Sequence, residues 1–304
     1  MTELAVHTQS LSKHYRTLRS VTRAVDGLTM QVPRGSIYGF LGRNGAGKTT
    51  ALRMLAGLAR PTAGSAVVLG LDPQRETVAV LHRTGFVIEK TLFPAMTGEE
   101  LLRFQRGFFP GWSEERARRY VDALEVPMRQ RFRTLSLGSK TKLCLLLALA
   151  QNPELLVLDE PTAGLDPVVT DQLLRVLIED FAGTGRTLLL SSHHLSEVEK
   201  VADWVGIIDA GTLKLEARLD DIRLAFRRIR AVGRDLPARG PKVVTCRISG
   251  ETAEYVVRAQ AEEFAAELRA QGATILDIET MNLQETFLAV AGKESAHVSV
   301  EVLA

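Results

Sequence analysis

Residues 42–49 read GRNGAGKT and fit the pattern GxxxxGK[ST]. A short apolar run, GSIYGFLG (35–42), comes before this stretch, and leucines follow it at helical spacing (Leu52, Leu55, Leu58). Glycines let such a loop curl until its backbone N–H groups converge on an anion, and the N-terminus of the following helix adds a favourable dipole. The order strand, glycine-rich loop, helix predicts an α/β unit with a phosphate-binding site.

The last two residues of this stretch carry its chemistry. Lys48 is expected to reach the β- and γ-phosphates of a nucleotide, and the hydroxyl of Thr49 is expected to hold Mg²⁺. The alternative is a glycine-rich turn that binds no ligand. The glycine order, Gly42, Gly45 and Gly47, differs from the GxGxxG of dinucleotide-binding folds, which argues against an oxidoreductase.

A second candidate site lies in LLVLDEP (155–161). Its apolar residues predict a buried strand that places Asp159 and Glu160 at its carboxyl end, where ligands of open α/β sheets collect. Asp159 suits the shell of Mg²⁺, and Glu160 could polarise a water for attack on the γ-phosphate. The alternative is a pair of exposed carboxylates at a strand end. TLLLSS (187–192) reads as another buried parallel strand.

Composition limits the class of protein. The 304 residues include 38 Lys+Arg and 36 Asp+Glu, a balance that points neither toward nor away from nucleic acid. The two cysteines, Cys144 and Cys246, are too few for a disulfide framework, which favours a reducing cytosol. The apolar run at 143–150 is far shorter than the roughly 20 residues of a membrane span. MTELAVHTQS at the N-terminus lacks the features of a secretory signal, so we expect a partner to supply any membrane part.

Taken together, these stretches resemble the ATP-binding subunit of ATP-binding-cassette (ABC) transporters, over roughly residues 4–215. The matching pieces are GRNGAGKTT for Walker A, LSLGS (135–139) for the signature LSGGQ, LLVLDE for Walker B, AGLD (163–166) for the D-loop, and the histidine of LLLSSHHL for the switch. The resemblance implies an α/β fold: a P-loop NTPase core with a mixed sheet and a helical subdomain at about 95–150. It also implies an ATPase that uses ATP and Mg²⁺.

The resemblance assigns a nucleotide-binding role to Gly42, Asn44, Gly45, Ala46, Gly47, Lys48, Thr49 and Thr50.

Other roles rest on the resemblance alone. Tyr15 matches the aromatic residue that stacks on adenine, although a surface tyrosine is the alternative. His193 matches the switch histidine that bonds the γ-phosphate. Ser136 and Gly138 match signature residues that face a γ-phosphate held by an opposing chain. Asp166 matches the D-loop and is also assigned to nucleotide binding.

Two positions depart from the commonest family pattern. Glu89 stands where most members carry the Q-loop glutamine; it keeps an oxygen for Mg²⁺ or water, which makes it a candidate metal ligand and catalytic residue. In the signature, Leu137 and Ser139 replace a glycine and a glutamine. We therefore expect a competent but slow site, or one completed by a less degenerate partner chain.

The sequences of residues 86–146 and of the C-terminal end are most similar to those of the ATPase subunits of ABC-2-type exporters. In these, two ATPase chains, identical or paralogous, sit beneath a separate membrane permease at the cytoplasmic face of the membrane. The rival from another class is a soluble ABC ATPase that acts on ribosomes or DNA. Relatives of that kind usually have two cassettes or a long coiled-coil insertion, and neither is present. An importer subunit also stays open.

Beyond Leu215 the sequence pattern changes, which indicates a domain boundary. Residues 1–215 are expected to form the ATP-binding domain, 216–241 a basic helical linker, and 242–304 a small α+β appendage with a loose tail after Lys293.

Two surface features suggest partners. The aromatics of 94–112 (Phe104, Phe108, Phe109, Trp112) would form a socket for a permease helix, with core packing as the alternative. Arginines recur at 116, 118, 119, 129, 131 and 133, and again at 218, 223, 227, 228 and 230. A solvated helix face is the first interpretation and contact with anionic lipid headgroups the second. Nucleic acid is not expected, because stacking aromatics do not alternate with these arginines.

Overall fold

The computed structural model describes residues 3–16, 20–88, 95–234, 236–238, 240 and 242–291. The strands are β1 (Leu4–Arg16), β2 (Val21–Leu28), β3 (Gln31–Pro33), β4 (Ile37–Leu41), β5 (Ala63–Val68), β6 (Thr84–Val87), β7 (Leu155–Asp159), β8 (Thr187–Ser192), β9 (Trp204–Asp209), β10 (Thr212–Arg218), β11 (Phe226–Val232), β12 (Val243–Ser249), β13 (Thr252–Arg258) and β14 (Thr274–Thr280). The helices are α1 (Lys48–Leu55), α2 (Thr77–Arg83), α3 (Gly98–Arg106), α4 (Glu114–Leu124), α5 (Leu137–Ala150), α6 (Pro167–Phe181), α7 (Leu195–Val201), α8 (Leu219–Ala225), α9 (Ala261–Ala270) and α10 (Leu283–Ala291).

A six-stranded sheet in the order β10-β9-β4-β8-β7-β6 carries the predicted site. β9, β4, β8, β7 and β6 run parallel, and β10 pairs antiparallel with β9 at one edge. Every residue of β4, β7 and β8 is buried, as expected for parallel strands covered on both faces. The predictions of buried strands here are confirmed, and the three strands end side by side at one edge of the sheet.

A second, antiparallel sheet is formed by β2, β1 and β3, with β5 also paired to β1. It shares a hydrophobic core with α1 and with one face of the central sheet, where Tyr38 and Phe40 of β4 are fully buried. This packing holds the β2 backbone beside the loop at 42–47.

The helical subdomain consists of α3, α4 and α5, and each helix begins with a capping side chain. Thr97 forms a reciprocal capping box with Glu100, Ser113 accepts from Arg116 N–H, and Ser136 accepts from Ser139 N–H. Such caps satisfy N–H groups that have no partner within the helix. From Thr141 to Ala150, α5 is buried on all sides, in agreement with its continuous apolar sequence.

An ion-pair cluster ties this subdomain to α6. The carboxylate of Asp180 is almost fully buried, and it accepts from Arg116 at 2.7 Å and from Arg186 at 2.6 Å. Burial without such partners would be costly for a carboxylate, so the cluster fixes α4 against α6.

The predicted helical linker over 216–241 is wrong except for the short helix α8. β10 continues to Arg218, α8 is short, and Phe226–Val232 form β11, an inner strand of a third sheet. The arginines suggested a solvated helix, but the sequence alternates: Ile229 and Ala231 are buried, while Arg228 and Arg230 pair with acidic side chains on neighbouring elements. Alternation of this kind belongs to a strand rather than to a helix.

The third sheet has the order β12-β13-β11-β14 and is antiparallel throughout. The predicted α+β character of this part of the chain agrees with the structure, which contains β12, β13, α9, β14 and α10 within residues 242–291. The last helix, α10, packs against α7 and β9 of the central unit. No helix in the described ranges is long and apolar enough to cross a lipid bilayer.

Candidate nucleotide-binding site

The loop between β4 and α1 requires glycine at position 47. Gly47 has a φ of +109°, and a Cβ added to it would lie 2.3 Å from the carbonyl oxygen of Ala24. Both observations exclude a side chain, because this φ is unfavourable for other residues and the space is taken by backbone. α1 then begins at Lys48 with no side-chain cap on its free N–H groups.

A pocket of about 200 Å³ opens at this loop. Its wall contains the predicted residues Asn44, Gly45, Gly47, Lys48, Thr49, Thr50 and Glu160, together with Ala24 and Arg43. An uncapped helix N-terminus in such a pocket is suited to phosphate.

Lys48 supplies the positive charge of the pocket. Its side chain is 5% exposed, and its Nζ donates to the carbonyl of Gly42 at 2.6 Å and lies 3.0 Å from Oε1 of Glu160. A buried ammonium needs a counter-charge, and in this chain Glu160 provides it. An incoming nucleotide phosphate would replace Glu160 in that role.

Thr49 and Asp159 bring two side-chain oxygens together beside the pocket. The Thr49 hydroxyl donates to Oδ2 of Asp159 at 2.5 Å, and the Ser191 hydroxyl donates to the other carboxylate oxygen. Mg²⁺ prefers hard oxygen ligands and commonly takes only one or two from the protein, completing its shell with water and substrate phosphate. The residues present therefore fit this cation.

Glu160 and His193 form a second pair at the ends of β7 and β8. His193 Nδ1 lies 2.7 Å from Oε2 of Glu160, which accepts the hydrogen bond. Glu160 has a φ of +47°, a strained conformation for a residue with a side chain, and its N–H donates to the Ser191 carbonyl at 3.1 Å. The bond at Nδ1 leaves Nε2 of His193 as the ring nitrogen for a phosphate.

Two predicted nucleotide-binding residues lie in the backbone around the pocket rather than in its wall. The carbonyl of Gly42 holds Lys48, as described above. Ala46 is buried, and its carbonyl accepts from the N–H of Gly211, in the turn between β9 and β10, at 3.0 Å.

Of the remaining predicted residues within the described ranges, Tyr15, Ser136, Gly138 and Asp166 do not line this pocket. Tyr15 is 42% exposed on β1, with the ammonium of Lys13 5.3 Å from its ring centre. Their roles toward nucleotide stay predictions. Glu89 lies outside the described residues.

The signature and the D-loop meet each other on a separate surface. Ser136 is exposed at the start of α5, and Gly138 packs where a Cβ would lie 3.6 Å from Val169 of α6. Asp166 caps α6 by accepting from the N–H groups of Val168 and Val169. The two capped helix ends thus stand side by side.

Sequence reasoning missed three contributors to the site: Ser191, Ala24 and Arg43. Ser191 had a partial signal, because it lies near the carboxyl end of a buried strand. Ala24 had none, since it acts through its backbone, and Arg43 occupies an unrestricted position of the pattern.

Comparison with known proteins agrees with this geometry. The family model described as ABC transporter matches residues 25–163. The Nod factor export ATP-binding protein I of Cupriavidus metallidurans is 34% identical over 284 residues, covering 89% of this chain and 93% of that protein. The bacitracin transport ATP-binding protein BcrA of Bacillus licheniformis is 36% identical, covering 73% and 72%. The daunorubicin/doxorubicin resistance ATP-binding protein DrrA of Streptomyces peucetius is 37% identical, covering 72% and 67%.

Solved structures extend the likeness to the fold. An ATP binding subunit of an ABC transporter is 28% identical with a TM-score of 0.65, covering 73% of this chain and 92% of that one. A dimeric ATP-binding cassette in a post-hydrolysis state, bound to ADP and Pi, shares the fold at 22% identity with a TM-score of 0.63, covering 70% and 98%. The chain therefore belongs to the ABC transporter family, as an ATP-binding protein of the ATPase class.

Proposed function

We propose that this chain is the ATP-hydrolysing subunit of an ABC exporter, in which two ATPase chains drive a separate membrane permease at the cytoplasmic face of the membrane. One observation carries the proposal. The Walker residues are joined by hydrogen bonds and an ion pair in one site on this chain. Ser136, Gly138 and Asp166 instead lie at two capped helix ends outside that pocket.

The surface around these helix ends suits a second ATPase chain. Leu137 is 46% exposed and Val168 is 78% exposed, so apolar side chains flank the two caps. Packing of a partner chain would cover them and bring a phosphate held by that chain to Ser136. ATP would then favour the closed pair and ADP the open one, which is how nucleotide binding does mechanical work.

Hydrolysis follows from the positions of five side chains. Lys48 neutralises the phosphate charge and, in exchange, releases Glu160. Glu160 then orients a water and accepts its proton, while His193, held at Nδ1, presents Nε2 to the γ-phosphate and donates to it when both ring nitrogens carry a proton. Thr49 and Asp159 would hold Mg²⁺, which when bound neutralises charge on the β- and γ-phosphates.

The exporter assignment draws on the relatives, whose names describe Nod factor export, bacitracin transport and drug resistance. A permease contact is supported by the helical subdomain. Phe104 and Phe108 are 41% and 57% exposed, and their ring centres are 4.9 Å apart. Phe109 and Trp112 are half-buried, so the socket would centre on the first two rings.

Contact with anionic lipid stays a further part of the proposal, and the ion pairs limit it. Arg228 bonds Glu285, Arg230 bonds Asp277, and Arg223 lies 3.3 Å from Asp220. These pairs leave less positive charge for lipid headgroups than the sequence suggested.

Copurification from membranes tests the proposal. The tagged chain, expressed together with its neighbouring genes, should recover a polytopic membrane protein, and Phe104→Ala with Phe108→Ala should reduce that recovery several-fold. Leu224→Ala, at a site that is 70% exposed on α8, is the matched control and should not. If the chain stays wholly in the soluble fraction, the ribosome- or DNA-directed ATPase is favoured instead.

A further inference from the structure

A second pocket, of about 500 Å³, lies between the nucleotide loop and the C-terminal sheet. Arg43 of the loop contributes to its wall, as it does to the wall of the nucleotide pocket. The rest comes from β11, β12, β13 and α10, with Met281. This volume is within the range that holds small organic ligands, roughly 300–1,000 Å³.

The charges that line this pocket are unequal. It contains three arginines (Arg43, Arg228, Arg247) and two glutamates (Glu254, Glu285). Arg228 bonds Glu285, and Arg247 stands directly opposite Glu254 in the β12–β13 ladder. Within the part of the chain that the structure describes, Arg43 has no ion pair. The pocket wall therefore has one more positive than negative side chain. The additional positive charge is that of Arg43, in the nucleotide loop.

The other half of the wall is apolar. Val256, Met281, Leu288 and Ala289 line it, and Leu288 is 54% exposed at its edge. A pocket with an apolar wall and one uncompensated cation is complementary to a molecule with an apolar body and a single anionic group.

We propose that this pocket binds an amphipathic anion of that kind, and that its occupancy changes the affinity of the neighbouring site for ATP. The two sites share Arg43, whose backbone carbonyl accepts from Lys48 Nζ at 3.3 Å and from Ala46 N–H at 3.1 Å. An anion drawn to the guanidinium therefore acts on the residue that also shapes the phosphate loop.

A second connection leads to the switch side of the ATP site. The N–H of Leu283, the first residue of α10, donates to Glu199 of α7 at 3.2 Å. α7 begins two residues after His193. α10 lines the second pocket through Glu285, Leu288 and Ala289, so a ligand there contacts an element attached to the switch. Coupling of this kind is reciprocal: ATP must change the affinity for the anion by the same factor.

The binding test uses two fluorescent probes with almost the same apolar body, anionic 8-anilinonaphthalene-1-sulfonate and neutral N-phenyl-1-naphthylamine. The full chain should bind the sulfonate at one site, at least about tenfold more tightly than the neutral probe. Leu288→Glu, which adds a negative charge at the pocket edge, should weaken sulfonate binding about tenfold or more. Leu276→Glu is the matched control, because Leu276 is 56% exposed on β14 outside the pocket.

The coupling test compares ATP affinity and turnover with and without the sulfonate. Wild type and Leu276→Glu should show the same shift, reduced in Leu288→Glu, and saturating ATP should shift sulfonate affinity by the reciprocal factor. Equal sulfonate binding in the two variants would overturn the site, equal binding of the two probes would overturn the anionic class, and unchanged ATP affinity would overturn the coupling. The binding half does not depend on the exporter proposal and is read without any permease.

Discussion

The N-termini of α1 and α5 are both candidate phosphate sites, and they are built in opposite ways. α1 follows Gly47 with no side-chain cap, inside a pocket whose wall includes Glu160 and in which Lys48 is paired with that glutamate. α5 follows Ser136, which is exposed and caps the helix with its own hydroxyl. The first end is incomplete without a ligand, whereas the second is stable alone and gains a ligand only when one is brought to it. In the proposed function, binding therefore belongs to one chain and full turnover to an assembly.

The largest effect should follow from changing the base at the α1 site. Glu160→Gln keeps an acceptor for His193 but cannot take up a proton, so ATPase activity should fall by about 10²–10⁴-fold. ATP binding should persist, as measured by equilibrium titration beside a phosphate-release assay. Glu197→Gln is the control, since Glu197 is a nearby carboxylate bonded to Thr162 at 2.6 Å. Activity above a tenth of wild type in Glu160→Gln would remove Glu160 from the role of base.

A smaller effect should follow at the α5 end. Ser136→Ala and Ser113→Ala each delete a serine cap in the same subdomain, at a cost to stability of about 1 kcal/mol. Only Ser136→Ala should reduce turnover, by about tenfold or more, and suppress ATP-driven dimerisation in size-exclusion chromatography, while ATP binding to the monomer stays unchanged. Equal activity in the two variants would mean that Ser136 is a helix cap and nothing else.

The smallest effect on activity should follow from a change at Glu216, in the scaffold that supports β4. Glu216 is buried, accepts from Tyr38 of β4 at 2.5 Å and from Gln31 N–H, and burial raises its pKa from 4.5 to about 7. The folded chain therefore holds this proton more tightly than the unfolded chain does. Its contribution to stability is full below pH 4.5, is lost as pH rises to about 7, and is constant above that.

The loss amounts to on the order of 3 kcal/mol at most, because one pKa unit corresponds to about 1.4 kcal/mol. Glu216→Gln keeps the acceptor oxygen without the titration, so its melting temperature should fall less than that of wild type between pH 5 and pH 8. Its ATPase activity at pH 7 should stay close to wild type. Parallel pH profiles for the two proteins would show that Glu216 does not titrate in this range.

The sequence predicted the α1 side of the comparison well, because its chemistry is local. Glycines, Lys48 and Thr49 are contiguous, and a buried strand directly precedes Asp159, so spacing alone indicates their positions. The sequence does not show that β7 pairs with β8. It therefore does not show the hydrogen bond from Ser191 to Asp159, which depends on that pairing.

The same limit explains the error at 216–241. Whether an arginine-rich stretch is a helix or a strand depends on what lies opposite, and the acidic partners of Arg228 and Arg230 are about 50 residues away in the sequence. The pocket at Arg43 was hidden for this reason too, since its walls come from both ends of the chain. Long-range pairing, rather than local propensity, decided each of these features.

The ion pair between Lys48 and Glu160 sets a charge threshold for entry. A ligand must offer Lys48 a stronger anionic partner than one carboxylate, and a phosphate group meets this condition because it carries up to two negative charges at neutral pH. The same exchange means that Glu160, while paired with Lys48, is not available as a base and becomes so only when a phosphate takes its place. Recognition of the phosphate by Lys48 and release of Glu160 as a base would therefore occur in one step.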